Sequence, residues 1–76
     1  MFNLTENVRD GILEIRFSDD DSLDKSYRIT CSLGKIHMQG NIAGSTQRTC
    51  LYIGEFKKGK YHFILGEDTS KEFIVA

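Results

Sequence analysis

The sequence has no proline, no long apolar run and almost no excess of charge of either sign. Without proline, an internal repeat or a low-complexity segment, nothing marks a linker, so we expect residues 1–76 to form one domain. The apolar runs reach only about four residues, far short of the roughly 20 that a membrane-spanning helix needs. Ten basic and eleven acidic side chains leave a net charge of −1. A dedicated nucleic-acid-binding domain is normally more basic.

The two cysteines, Cys31 and Cys50, are compatible with either a reducing or an oxidising compartment. The first residues, MFNLTENVRDG, have neither the basic start nor the apolar segment of a secretory signal peptide. In an exported protein a pair of cysteines commonly forms a disulfide. However, inward-facing Leu51 and Ile53 would turn Cys50 away from the core that holds Cys31, so we expect two free thiols.

Apolar and polar residues alternate in segments that recur about every ten residues, which is typical of an all-β sandwich or barrel. The cleanest alternation runs from Tyr27 to Leu33. Phe2 and Leu4 are expected to add a short edge strand. The sequence therefore predicts a small antiparallel β-sandwich of about seven short strands. The other expected inward-facing rows are Leu13, Ile15 and Phe17; Ile36 and Met38; Leu51 and Ile53; Tyr61, Phe63 and Leu65; and Phe73 and Val75.

Two glycines indicate turns between these strands. Asp10-Gly11 precedes the strand that contains Leu13. Gly34-Lys35 fits a two-residue type II′ hairpin turn, which would set Leu33 opposite Ile36 and Cys31 opposite Met38. From the same alternation we expect six side chains to be largely buried: Ile15, Phe17, Ile29, Leu33, Phe63 and Phe73.

Neither metal-binding pattern in the sequence is convincing. Asp19, Asp21 and Asp24 lie in the segment SDDDSLDKS, but an EF-hand loop counted from Asp19 would have Asp24 and Thr30 where glycine and glutamate are required. We interpret the segment as a solvated loop rather than a cation site. The cysteines and histidines lack the close paired spacing of zinc ligands; these four residues are Cys31, His37, Cys50 and His62.

No arrangement of residues predicts catalysis. No histidine is placed beside a serine or cysteine with an acidic group behind it, and no glycine-rich phosphate loop is present. We therefore expect a protein that is not an enzyme, with no catalytic residues, no metal and no cofactor.

The segment FKKGKYHFIL has two interpretations. In the first, three lysines contact phosphates while Tyr61 and His62 stack on bases, as in single-strand-binding OB domains. In the second, Gly59 forms a turn at positive φ and Tyr61 begins an inward-facing row. The second is favoured, because the row continues the alternation of the earlier strands and the chain is not basic. The candidate interaction surface consists of Lys57, Lys58, Lys60 and His62.

From about residue 12 to residue 75, the succession ILEIRF, YRITCSLGKIHMQGNI, CLYIGEFKKGKYHFIL and KEFIVA resembles a known group of domains. These are the small immunoglobulin-like β-sandwich domains of secreted Bacteroidetes proteins, among them the C-terminal sorting domains of type IX secretion and related secreted domains. The resemblance implies an immunoglobulin-like sandwich, export from a Gram-negative cell and a role in surface display or binding without catalysis.

The prediction is thus a non-catalytic binding or structural module, part of an exported or cell-surface protein, that contacts a protein or another surface partner. Nucleic acid is not favoured as a partner, and insertion into a membrane is not expected. Two alternatives stay open: an OB-like domain for single-stranded nucleic acid, and a small intracellular regulator of a protein partner. The resemblance implies an exported location, whereas a cytoplasmic one follows if the resemblance does not hold.

Overall fold

The segments in which apolar and polar residues alternate form β-strands. The computed structural model describes residues 2–18, 24–67 and 69–76, and in these ranges the chain forms eight strands. The prediction of an all-β fold is confirmed. The strands are β1 (Phe2–Leu4), β2 (Asn7–Val8), β3 (Ile12–Phe17), β4 (Lys25–Cys31), β5 (Ile36–Ile42), β6 (Arg48–Tyr52), β7 (Gly59–Leu65) and β8 (Thr69–Val75).

The strands form two packed sheets in a sandwich-like arrangement. One sheet has the order β1-β3-β6, and the other has the order β2-β8-β7-β4-β5. Neighbouring strands are antiparallel except β2 and β8, which are parallel. The sequence predicted about seven strands, because a two-residue strand such as Asn7–Val8 is too short to show alternation. Residues 2–8 thus contribute a strand to each sheet.

The apolar core lies between the two sheets. At their interface, the Nζ atom of Lys71 on β8 lies 5.6 Å from the ring centroid of Phe2 on β1 and 3.2 Å from Oδ1 of Asn3. The ammonium group therefore joins the two sheets where the core meets solvent. The largest fully buried side chains are Phe2, Phe63, Phe73, Leu13, Ile15, Ile29, Ile53 and Val8.

The predicted burial is correct for most of the six side chains. Ile15, Ile29, Phe63 and Phe73 are fully buried. Phe17 is half-buried at the end of β3, where it lies opposite Phe2. The inward rows of β7 and β8 are also confirmed, because Tyr61, Leu65 and Val75 are buried.

The prediction for the β4–β5 connection is wrong. The Gly34 N–H donates to the Cys31 carbonyl at 2.9 Å, and Gly34 has a φ of 82°. The glycine therefore follows the turn instead of opening it, as in three-residue hairpin loops. This places Leu33 at the tip of the hairpin, 92% exposed.

Because the turn differs from the predicted one, the register between β4 and β5 also differs. Ile29 pairs with Met38 and Thr30 pairs with Ile36, so residue 37 of β5 is an additional residue in a β-bulge. The expected pairs, Leu33 with Ile36 and Cys31 with Met38, do not form. Ile36, which was expected to face inward, is 49% exposed.

Candidate functional site

The segment FKKGKYHFIL is a turn followed by a core strand, as the favoured interpretation stated. Gly59 opens β7 with a φ of 148°, which confirms the expected positive φ. Tyr61, Phe63 and Leu65 all face the core.

The β6–β7 loop, residues 53–58, is held by two hydrogen bonds. The Phe56 N–H donates to the Ile53 carbonyl at 3.0 Å, and the Tyr61 hydroxyl donates to the Lys57 carbonyl at 2.8 Å. The rings of Phe56 and Tyr61 lie 5.1 Å apart between centroids. The backbone that carries Lys57 and Lys58 is therefore anchored to the core strand, whereas the two ammonium groups are exposed.

His37 connects this loop to β5. Its ring centroid lies 5.6 Å from the Phe56 ring and 5.4 Å from the Tyr61 ring, and it meets the Tyr61 ring edge to face. The sequence predicted an outward-facing His37, and the residue is exposed. Its aromatic contacts follow from the bulge at residue 37, which no alternation pattern could indicate.

An apolar side chain and three lysines lie at this end of the five-stranded sheet. Cys31 pairs with Tyr61, so the tip of the β4–β5 hairpin lies beside the start of β7. Exposed Leu33 and Lys35 on the hairpin thus lie at the same end as Lys57 and Lys58. Within the described ranges these three lysines make no ion pair. We call this surface the lysine end; it consists of Leu33, Lys35, Lys57 and Lys58.

The structure divides the predicted interaction residues between two surfaces. Lys57 and Lys58 belong to the lysine end. Lys60 and His62 lie instead on the outer face of the five-stranded sheet, where Lys60 Nζ is 3.7 Å from Oε1 of Glu72. His62 is half-buried in the same face, opposite Glu72 in the register.

The structure offers little support for base stacking at this site. Tyr61 is 4% exposed, and its hydroxyl is already bonded to the Lys57 carbonyl. Single-strand binders need accessible aromatic faces on which successive bases stack. The aromatic residues next to the lysines therefore support the loop instead of presenting a binding platform.

Leu33 and Lys35 were not among the residues that the sequence predicted for this surface. The segment SLGK did contain a signal, because a glycine that follows a turn places the residue before it at the tip. The proximity of that tip to Lys57 and Lys58 depends on the pairing of β4 with β7, which cannot be seen in the local sequence.

The four residues considered as zinc ligands are dispersed over β4, β5, β6 and β7. In residues 2–18, 24–67 and 69–76, no three His, Cys, Asp or Glu side chains are grouped to hold a metal ion. Of the aspartates considered for calcium, Asp19 and Asp21 lie outside the described residues. The carboxylate of exposed Asp24 accepts a hydrogen bond from the Gly44 N–H at 2.9 Å.

The two cysteines lie on different sheets and are free thiols. Cys50 is exposed on β6, which confirms its predicted outward direction. Cys31 is half-buried at the end of β4. A hydrogen bond from the backbone of Leu33, supported by one from Lys35, lowers the pKa of the Cys31 thiol.

The outer face of the three-stranded sheet carries a second charged cluster. Arg16 and Arg48 lie directly opposite each other, and Glu14 binds both, with N–O distances of 2.9 Å and 2.6 Å. Like charges in opposed positions repel, so the carboxylate offsets an unfavourable pair. The hydrogen bond from Arg16, together with the positive charges of both arginines, lowers the pKa of Glu14. An open groove of about 540 Å³ borders Glu14, Arg48 and Cys50.

Comparison with other proteins identifies no family. No family model matches the chain, and none of the curated proteins compared with it matches either. Within the described ranges, no helix has the length and apolar character required to cross a membrane. The small two-sheet β fold and the surfaces above are thus the basis for a functional proposal.

Proposed function

We propose that the chain is a non-catalytic binding module that holds an acidic protein partner at its lysine end. The observation that supports this is the grouping of Leu33, 92% exposed, with three lysines that form no ion pair in the described part of the chain. A single exposed apolar side chain is common on protein surfaces, so the proposal rests on the position of Leu33 among three lysines that could all attract the same acidic partner. The anchored β6–β7 loop lowers the entropic cost of binding, because its backbone is already ordered.

The chemistry of this surface favours a partner with carboxylate groups around a small apolar contact. Lysine ammonium groups act as mobile point charges that increase association rates and select partners of opposite charge. Leu33 would supply the desolvated contact that slows dissociation. No enzyme activity is part of this proposal.

The proposal extends to the class and location of the module. The succession of strands and the segment KGKY resemble the immunoglobulin-like domains of secreted Bacteroidetes proteins. The two-sheet architecture is compatible with that resemblance. We propose on this basis a module of an exported or cell-surface protein.

The test is a binding titration at low ionic strength with two labelled probes, a glutamate-rich peptide that contains leucine and a single-stranded oligonucleotide. The parent protein should bind the peptide, and binding should weaken steeply with added salt. Replacing Lys35, Lys57 and Lys58 with serine should abolish it. The matched control is Lys60→Ser, because Lys60 lies on the outer face of the sheet and should leave peptide binding intact.

Two results would overturn the proposal. One is a parent protein that does not bind the peptide even at low salt. The other is oligonucleotide binding that is tighter than peptide binding and is lost in the triple variant, which would support the OB-like alternative. Circular dichroism of each variant establishes that it is folded.

A further inference from the structure

The edges of the two sheets differ in length and in charge. The edge strands β1, β2 and β6 have three, two and five residues, and β6 begins with Arg48. The remaining edge strand, β5, has seven residues with the sequence IHMQGNI. It contains no charged residue and no proline. Proteins commonly protect long edges with lysine, proline, a β-bulge or a very short strand, because exposed edges pair with other chains. The bulge at residue 37 lies at one end of β5 and leaves residues 38–42 in regular pairing with β4.

The strand β5 is hydrogen-bonded on one side only. Its partner is β4, from the pair Lys25 and Ile42 to the pair Thr30 and Ile36. Within the described ranges no other strand pairs with it. Its second row of backbone N–H and C=O groups therefore has no strand partner in this part of the chain. Ile36, 49% exposed, adds apolar surface at one end of this edge.

We propose that β5 pairs antiparallel with β5 of a second copy of the chain. This proposal concerns a different surface from the lysine end and does not depend on it. The two five-stranded sheets would join into one continuous sheet through a two-fold axis that passes beside Gly40 of β5. Two copies of an uncharged strand place no like charges opposite each other, so self-pairing meets no electrostatic penalty.

The alternation of β5 also fits this arrangement. Met38 and Ile42 are opposite Ile29 and Lys25 in the register, and both lie on the core side of the strand. In an antiparallel pair centred on Gly40, Met38 of one copy lies opposite Ile42 of the other on the same face. The core sides of the two sheets therefore become continuous. The antiparallel arrangement also places the two lysine ends at opposite ends of the dimer.

A single strand pair forms a small interface, so we expect a weak dimer whose population rises with concentration. Sedimentation velocity from micromolar to millimolar protein should show this rise. Gln39→Lys, an exposed substitution next to Gly40, should raise the dissociation constant several-fold, because the two added ammonium groups lie diagonally across the axis on the same face of the joined sheet. Gln47→Lys makes the same charge change in the β5–β6 loop and should leave the dimer unchanged.

Hydrogen exchange locates the interface independently of mutation. In the parent protein, amide protection across residues 36–42 should increase with protein concentration, whereas protection across β6 should not. A chain that stays monomeric at millimolar concentration overturns the proposal. So does a dissociation constant that is unchanged in a folded Gln39→Lys variant, because that dimer must use another surface.

Discussion

The ring of Phe2 on β1 meets the ring of Phe63 on β7 edge to face, with the ring centroids 5.4 Å apart. One residue belongs to the three-stranded sheet and the other to the five-stranded sheet, so this contact joins the two halves of the sandwich. Phe63 also stacks on Tyr27, at 5.6 Å between centroids. Edge-to-face and stacked rings are favourable beyond the apolar area that they bury.

Phe63→Ala should lower the free energy of unfolding by about 3 to 5 kcal/mol, because it removes a fully buried ring and leaves a cavity between the sheets. This is a large share of the stability of so small a domain. Urea unfolding followed by circular dichroism measures the change. Ile74→Ala is the control, since Ile74 is 42% exposed on the outer face and should cost far less. Equal losses in the two variants would contradict the assigned core.

Gly59→Val should destabilise the fold by about 1 to 3 kcal/mol, because Gly59 has a φ of 148° that a β-branched residue adopts only with strain. The expected strain does not come from a steric clash, since a Cβ at this position would have no neighbour within 4 Å. Thermal unfolding measures the effect. Lys58→Val introduces the same side chain at the preceding exposed position and should change the melting temperature little. A melting temperature for Gly59→Val equal to that of the parent would show that the turn tolerates side chains.

Glu14→Gln should destabilise the protein at neutral pH but not in acid. The Arg16 hydrogen bond and the two arginine charges hold the pKa of Glu14 in the folded state below its ordinary value of 4.5. The ionised carboxylate therefore stabilises the fold above that ordinary value, and the stabilisation is lost as the pH falls through the lower, folded-state pKa. Unfolding curves of parent and variant should converge as the pH falls below 4.5.

The matched control for this pH dependence is Glu55→Gln. Glu55 is exposed in the β6–β7 loop and forms no ion pair among the residues described. Its replacement should produce a small difference in the free energy of unfolding. If Glu14→Gln differs from the parent by the same amount at neutral and acid pH, the ion pairs with Arg16 and Arg48 do not contribute to stability.

The sequence predicted the fold wherever one face of a strand is buried along its whole length. In β7, alternation from Tyr61 to Leu65 matched the core row. It failed at the end of β4, where Leu33 continues the alternation of Ile29 and Cys31 although the strand has already ended. Where a strand ends is decided by the turn, and the turn depends on the backbone of Gly34. The alternation of apolar and polar residues does not reveal the backbone conformation of Gly34.

The candidate site was predicted only in part, for a related reason. Lys57 and Lys58 are adjacent in sequence, so the basic segment was evident. Leu33 and Lys35 join them because Cys31 pairs with Tyr61, a contact between residues far apart in the chain. Lys60 does not belong to the lysine end, because β7 begins at Gly59 and successive side chains of a strand point to opposite faces. Lys60 therefore lies on the outer face of the sheet.

The parallel pair of β2 and β8 has a consequence for biosynthesis. Asn7 pairs with Ile74 and Val8 with Val75, so each residue of β2 pairs with a residue that is translated much later. The five-stranded sheet also needs β8 between β2 and β7. Val8 therefore has no strand partner until residue 75 has emerged from the ribosome. The sandwich is complete only after β8 has been translated, and until then chaperones can bind the apolar side chains of the earlier strands.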